Sequence, residues 1–271
     1  MSEIIQNPWT RLRSFTNARL ALGRAGDSLP TQEVLDFGLA HARARDAVHQ
    51  SLDVEEMVRV LRACGFASLA VQSAARDRAG YLRRPDLGRK LNEAGPMLLK
   101  GSAYHGQNSR HPEQSESSAL LTDQGQSEAS SVAFIIADGL SAIAPARHAV
   151  PLLREIISAL EGWSIAPVVV ATQARVALGD EIGELLRAEM TVMMIGERPG
   201  LSSPDSLGIY LTYRPRIGCT DADRNCISNV RPEGLSYEAA AHTLHHLMLA
   251  ARALGQSGIA LKDESDLPRL P

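Results

Sequence analysis

Cysteine is scarce in this 271-residue sequence. Its 3 cysteines, Cys64, Cys219 and Cys226, form an odd set, and no two of them stand at CxxC spacing. A disulfide framework uses an even number of cysteines, and a zinc site uses closely spaced pairs. The pattern therefore favours a reduced, cytosolic protein over either alternative.

Aromatic residues, excess charge and long apolar runs are scarce as well. Aromatics make up 4% of the sequence, so Ala, Leu, Val and Ile must supply most of the core. A net charge of −3 provides no general basic field, which argues against nucleic acid as the main partner. No window approaches the roughly 18 consecutive apolar residues of a membrane span, and the N-terminal segment lacks the apolar stretch of a signal peptide. We expect a soluble, cytoplasmic protein without a membrane partner.

Residues 1–100 are predicted to form a helical N-terminal region. Apolar residues recur at spacings of three and four within 10–22 and 30–52. Asp53, followed by two glutamates, is typical of an N-cap and predicts a further helix. The apolar stripe of the second segment is expected at Leu35, Leu39, Ala42, Ala47 and Val48.

Residues 101–130 are rich in Ser, Gln, Gly and Glu. So few apolar side chains cannot offset the entropy of ordering this segment, and we interpret it as a flexible insertion or linker. It separates the N-terminal region from a second domain, 131–271.

The second domain alternates short apolar runs with helical patterns. The runs lie at 132–137, 168–170, 191–195 and 207–213, and Ser236 is a candidate N-cap of a long final helix. Runs of this length between helices are typical of an open α/β sheet covered on both faces.

Three of these strands are followed by polar loops that contain glycine or small residues: 138–141, 172–176 and 196–200. If the strands are adjacent and parallel, the loops share the edge of the sheet where such folds bind ligands. Neither a G-x-G-x-x-G nor a G-x-x-x-x-G-K motif is present, which argues against ordinary NAD or ATP. The simpler alternative is that the glycines only make tight turns.

Six motifs resemble those of the ethanolamine ammonia-lyase small-subunit family and occur in the same order. Together they span most of the chain apart from residues 101–130 and the termini, which makes the set far more specific than any one motif. They are GRAG at 23–26, YLRRPDLGRKL at 81–91, IADGLS at 136–141, RVALGDEIGE at 175–184, GERPGL at 196–201 and DRNCISN at 223–229.

This resemblance implies a subunit of an adenosylcobalamin-dependent lyase, a cobalt-containing cofactor enzyme that converts ethanolamine to acetaldehyde and ammonia. It implies a Rossmann-like, doubly wound, mainly parallel sheet whose cofactor contacts match Val176, Glu197 and Cys226. The partner would be a TIM-barrel large subunit that holds the substrate, in a higher-order oligomer of large–small pairs. We assign no catalytic residue and no protein metal ligand to this chain, and expect activity only in the complex.

The cofactor contacts are chemically reasonable. Cobalamin is rimmed by amide side chains, which a carboxylate and backbone carbonyls can accept from, and a valine offers an apolar wall. Because the D-x-H-x-x-G motif is absent, the cofactor should keep its own base as cobalt ligand. The alternatives are an ion pair of Glu197 with Arg198 or Arg214, and Cys226 as a buried small hydrophobe.

Other candidate groups are weaker. The histidines at 242, 245 and 246 have helical spacing but no nearby carboxylate, so packing or surface roles are favoured over a metal site. Ser141 has no G-x-S-x-G context. The charged cluster within 83–90 is either a solvated helix start, a contact to the cofactor's tail phosphate or, as we favour, a docking surface for the large subunit. Its members are Arg83, Arg84, Asp86, Arg89 and Lys90.

Two alternative functions remain open: a structural subunit without ligand contacts, and a stand-alone α/β enzyme acting on a nucleotide-like ligand. The cytoplasm is the expected location, or a bacterial microcompartment if the host makes one. The short N-terminus puts that packaging in doubt.

Overall fold

The secondary structure alternates helices and strands along most of the chain. The computed structural model describes residues 8–16, 18–103, 132–263 and 265. The α-helices and strands are α1 Thr31–His49, α2 Val54–Ala63, β1 Ser68–Gln72, α3 Arg78–Arg83, α4 Gly95–Ala103, β2 Val132–Ala137, α5 Ile143–Ser158, β3 Val168–Thr172, α6 Leu178–Leu185, β4 Met190–Gly196, β5 Leu207–Tyr213, β6 Arg224–Val230 and α7 Tyr237–Leu254. Short 3₁₀ segments occupy Pro8–Ser14, Leu87–Arg89, Asp221–Asp223 and Gly258–Ala260.

The six strands form one mixed sheet in the order β1-β3-β2-β4-β5-β6. The first four are parallel, and β5 and β6 continue the sheet in antiparallel pairing. The connection from β4 to β5 contains no helix, so the chain reverses and pairs antiparallel. The predicted α/β class is confirmed, with a mixed sheet.

Both faces of the sheet are buried, which explains why the strands appear in the sequence as continuous apolar runs. Every residue of β2 is buried. Phe134 and Ile136 pack with residues of α2, α5 and α7, whereas Ile135 belongs to a second core with residues of α4 and α6. Among the helices in the described residues, none is long and apolar enough to cross a membrane.

The N-terminal region contains helices, as predicted, but also a strand. The Asp53 carboxylate accepts the Glu56 backbone N–H at 2.9 Å and caps α2, as its sequence context indicated. β1 was missed, and it pairs with β3, which follows the predicted insertion in sequence, so the first 100 residues are not purely helical. The predicted helix at 10–22 is only a 3₁₀ segment ending at Ser14. The predicted insertion begins inside α4, and from residue 104 it lies outside the described residues.

Helix α1 packs little of its surface against the protein. Only Ala47 of its 19 residues is buried. Leu35 and Leu39, which belong to the predicted apolar stripe, are 63% and 51% exposed. The predicted stripe is therefore divided: Ala47 near the C-terminal end of α1 is buried, whereas Leu35 and Leu39 are exposed.

Two glycines let the loops after β2 and β4 touch. Gly139 adopts φ +54°, and a Cβ there would lie 2.2 Å from the Gly196 carbonyl oxygen. A Cβ on Gly196 would lie 2.0 Å from the Ser141 carbonyl oxygen. The Leu140 N–H donates to the Gly196 carbonyl at 2.9 Å. These glycines thus serve close packing between loops as well as turning the chain.

We expect Gly139→Ala to lower the free energy of unfolding by about 3 kcal/mol, because left-handed strain and a steric clash add together. Gly162→Ala is the matched control: Gly162 has φ +78° and open space around it, so only the strain of about 1 kcal/mol applies. Urea denaturation of both variants measures the difference, and equal losses would show that the loop contact is unimportant.

Candidate functional site

A cleft lies where the parallel strands β2, β3 and β4 end. Its cavity has a volume of about 250 Å³, with Tyr81 and Val176 among its lining residues from one side and Glu197 and Tyr210 from the other. Because β3, β2 and β4 are neighbours and parallel, the loops that follow them do share one edge, as the sequence predicted.

Asp138 ties two of these loops together. Its buried carboxylate accepts the backbone N–H groups of Gln173 at 2.9 Å and Ala174 at 3.1 Å. The Arg78 guanidinium lies 3.4 Å from the same carboxylate and donates to the Gly139 carbonyl at 2.8 Å. Burial raises the pKa of Asp138, while these hydrogen bonds and Arg78 act in the opposite direction. The carboxylate is fully engaged in holding the loops.

Tyr81 supports the loop that carries Val176. Its hydroxyl donates to the Ala174 carbonyl at 3.0 Å. Its ring lies against the guanidiniums of Arg78 and Arg175, at 4.9 and 4.5 Å from the ring centroid. Burial raises the pKa of Tyr81 to about 12, so the phenol stays a neutral donor. The YLRRPDLGRKL motif thus begins with a packing support for the cleft.

Polar atoms without partners occur beside this support. Gln173 has φ +55°, is 8% exposed, and its side-chain oxygen Oε1 accepts no hydrogen bond. The Nε of Arg175 is likewise buried without a partner. Strained backbone and unsatisfied buried groups are costly, and they concentrate at ligand sites.

Glu197 is fixed from β6 and from the loop before β5. Its carboxylate accepts hydrogen bonds from the Ser206 and Ser228 hydroxyls, and from the Asn229 N–H at 3.3 Å. Ser228 and Asn229 form a bulge opposite Gly208 of β5. A Cβ on Gly208 would lie 3.0 Å from the Glu197 carboxylate, so the glycine leaves room for it. Glu197 therefore accepts from hydroxyl and backbone donors, and not from Arg198 or Arg214 in the ion pair that the sequence left open as an alternative.

Cys226 lies next to the cleft. It is exposed, which rules out the alternative of a buried small hydrophobe, and it stands opposite Tyr210 in the β5–β6 pairing. Although the residue is exposed as a whole, partial desolvation raises the pKa of its thiol, and the negative charge of Glu197 adds to this effect. A protonated thiol is a poor nucleophile, so the position suits contact better than covalent chemistry.

A buried ion pair connects α6, which follows the Val176 loop, with β6, which carries Cys226. Arg224, the first residue of β6, donates to the carboxylate of Asp180 in α6, and the two side chains are 2% and 3% exposed. Burial raises the pKa of Asp180 to about 6, although Arg224 opposes the shift.

The remaining sequence candidates lie elsewhere or have structural roles. The Ser141 hydroxyl is buried and donates to the Pro204 carbonyl at 2.7 Å. Arg84 and Asp86 form an exposed ion pair at 2.7 Å within the charged cluster. His242 is exposed on α7. In the part of the chain that the structure describes, no group of three or more His, Cys, Asp or Glu residues is arranged to hold a metal ion.

The three positions singled out by the sequence therefore converge. Val176 and Glu197 contribute to one cavity, and Cys226 adjoins it through Tyr210. Sequence reasoning missed Tyr81, Gln173 and Tyr210. Tyr81 begins the YLRRPDLGRKL motif and Gln173 lies in the loop 172–176. Nothing in the sequence distinguishes either residue from its neighbours as part of a site.

The chain matches known proteins over nearly its whole length. Residues 6–262 match the family described as Ethanolamine ammonia-lyase light chain (EutC). The chain is 52% identical over 272 residues to the ethanolamine ammonia-lyase small subunit of Azotobacter vinelandii. The alignment covers 99% of this chain and 93% of that protein. It is 51% identical over 268 residues to the protein of that name from Xanthomonas campestris pv. campestris, covering 98% and 91%. For the one from Pseudomonas aeruginosa the identity is 52% over 269 residues, covering 98% and 90%.

We expect Asp180 to make stability pH-dependent. Its folded pKa of about 6 lies above its ordinary value of 3.8, so between these values the folded state retains a proton that the unfolded state has lost. The contribution of Asp180 to the free energy of unfolding therefore falls as pH rises through this window, by about 3 kcal/mol in all. Urea denaturation from pH 3.5 to 7 of the protein and of Asp180→Asn measures it. A constant difference between the two would contradict the assignment.

Proposed function

The chain belongs to the ethanolamine ammonia-lyase light-chain family, as its motifs predicted, and from this premise we propose that its cleft binds one edge of adenosylcobalamin. The small subunit of a lyase implies a large-subunit partner. The observation that carries the proposal is the meeting of Val176 and Glu197 in one cavity, with Cys226 beside it.

The size of the cavity supports a contact at one edge. Pockets that enclose a drug-sized ligand have volumes of about 300–1,000 Å³, and cobalamin is larger than such ligands. A cavity of about 250 Å³ takes only part of it. The remainder of the cofactor would then lie against the large subunit, which we propose holds the substrate.

The chemistry of the cleft fits an amide-rimmed ligand. An amide group offers N–H donors and a carbonyl acceptor. Arg175, which lines the cavity, has a donor Nε without a partner, and Gln173, two residues before it, has an acceptor Oε1 without one. The Glu197 carboxylate accepts three hydrogen bonds of the about four that it can take. Val176 adds an apolar wall. When bound, adenosylcobalamin supplies the radical chemistry, while these residues bind and orient it.

The side chains at the cleft do not form a self-sufficient catalytic set. Asp138 is used to hold loops, and the raised pKa of Cys226 keeps its thiol protonated. We therefore propose that the reaction occurs only in the complex, a higher-order oligomer in the cytoplasm or in a microcompartment. The large subunit would be a TIM barrel, and cobalamin would keep its own base on cobalt.

Helix α1 supports docking of the N-terminal region to the large subunit. A helix with one buried residue gains little tertiary stabilisation, which is the source of most helical stability in proteins. Its C-terminal end is attached to the domain by the Arg78 side chain, which donates to the Val48 carbonyl at 2.6 Å. A partner that covers Leu35 and Leu39 would supply the missing burial.

The central test is co-expression with the large subunit, followed by titration with cobalamin and an ammonia-release assay. We expect Cys226→Trp to weaken cobalamin binding about tenfold or more and to retain subunit association. The indole would crowd the cleft from its position on β6. Cys64→Trp is the matched control, since it makes the same change at an exposed cysteine on α2.

Unchanged binding by Cys226→Trp would favour a structural subunit without ligand contacts. Loss of assembly instead would make the residue structural. Turnover by the isolated chain would favour the stand-alone enzyme.

A second prediction concerns docking. We expect Leu35→Asp to weaken association with the large subunit about tenfold, because a charge would be buried in the interface, and to leave the unfolding midpoint unchanged. Ile259→Asp likewise replaces an exposed aliphatic residue, here 84% exposed, by aspartate and should have no effect. Analytical ultracentrifugation of the mixed subunits measures both. Normal association of Leu35→Asp would place the interface elsewhere.

A further inference from the structure

The Asp180–Arg224 ion pair is more deeply buried than any stabilising role requires. Besides Asp180, Arg224 donates to the Cys219 carbonyl at 3.0 Å and to the exposed carboxylate of Asp221 at 3.0 Å. Even so, one carboxylate oxygen of Asp180 and the Nε of Arg224 have no hydrogen-bond partner. Each unpaired buried group carries a desolvation cost.

Stability alone does not account for such a pair. Apolar residues of similar volume stabilise a buried site as well as an ion pair does, or better, because they avoid desolvating two charges. What an ion pair adds is directionality: a guanidinium and a carboxylate fix the orientation of the elements that carry them. The question is therefore which elements this pair orients.

The pair joins the helix that follows the Val176 loop to the strand that carries Cys226 beside the cleft. Asp180 lies in the first turn of α6, and Val176 stands two residues before this helix, its carbonyl accepting the Gly179 N–H at 3.0 Å. Arg224 lies on β6 two residues before Cys226, so the two side chains share one face of the strand. Ser228, the next residue on that face, holds Glu197.

We propose that Asp180 and Arg224 are positioning residues, which set the separation between the Val176 loop and β6 and thereby determine the affinity for cobalamin. This inference rests on the proposed cofactor role of the cleft. Neither residue needs to touch the ligand, since each acts through a neighbour: Asp180 through the loop before α6, and Arg224 through the strand that carries Cys226 and Ser228.

The test uses the complex of both subunits and cyanocobalamin as probe. The double variant Asp180→Leu/Arg224→Met replaces the pair by apolar groups of similar volume. We expect it to retain its unfolding midpoint and its association with the large subunit, and to bind cyanocobalamin about tenfold or more weakly. The control is Glu189→Leu/Arg252→Met, which removes a partly exposed ion pair of 2.5 Å between α7 and the residue before β4.

A pH profile provides a readout that a general packing role would not move. Besides Arg224, the charged groups that face Asp180 are Asp221 and Asp223. We expect the affinity of the complex for cyanocobalamin to fall as Asp180 takes up a proton below about pH 6. Asp180→Asn should bind weakly throughout and lack this step.

The outcomes separate the inference from the proposed function. If the native complex binds no cyanocobalamin, the cofactor role of the cleft fails. If the native complex binds and the double variant binds equally well, only the positioning inference is overturned. Loss of assembly or folding in the double variant, with Arg224→Lys binding normally at every pH, would also overturn it.

Discussion

The cleft depends on one buried carboxylate. Asp138 follows β2 in the middle of the parallel strands and accepts two backbone N–H groups from the loop after β3, with Arg78 as counter-charge. Without these bonds the loop would leave its N–H groups unpaired in the interior and lose the strained conformation at Gln173. Tyr81 stabilises the same loop through the hydrogen bond from its hydroxyl to the Ala174 carbonyl. The carboxylate thus holds Gln173 and Ala174, the residues that precede the cavity-lining Arg175 and Val176.

The sequence predicted the parts of the fold whose signals are local. The runs that became β2, β3, β4 and β5 are continuously apolar because helices cover both sides, and the caps at Asp53 and Ser236 consist of single side chains within one turn. The sequence analysis did not predict β1 and β6, for opposite reasons. β1 is short and half-buried in a helical context. β6 lies at the edge of the sheet and buries only Arg224, Ile227 and Val230, so its polar positions made it resemble a loop.

The candidate site likewise combines positions that have a local sequence signal with contacts that have none. The positions at 176, 197 and 226 came from motif resemblance, and the order of the strands brings them together. What the sequence could not provide is the set of long-range contacts that fixes them, since Tyr81 is 93 positions from its acceptor at 174, and Ser228 is 31 from Glu197. Such contacts have no local signature. Even Glu197, whose neighbours suggested an ion pair with an arginine, is held by hydroxyl groups and a bulge that only the folded sheet creates.

These features together describe one side of a larger assembly. The cleft is open and small, a donor in its lining and an acceptor two residues before it lack partners, and α1 exposes Leu35 and Leu39. Each feature costs free energy in an isolated chain, and each would be offset by covering it: the cleft by a ligand edge, the helix by a partner surface. Arg78 connects the end of α1 to the loops of the cleft through Val48 and Gly139. A partner bound to α1 would therefore stabilise the cleft loops, and a ligand bound in the cleft would stabilise α1. We therefore expect partner binding and cofactor binding to be linked, each increasing the affinity for the other.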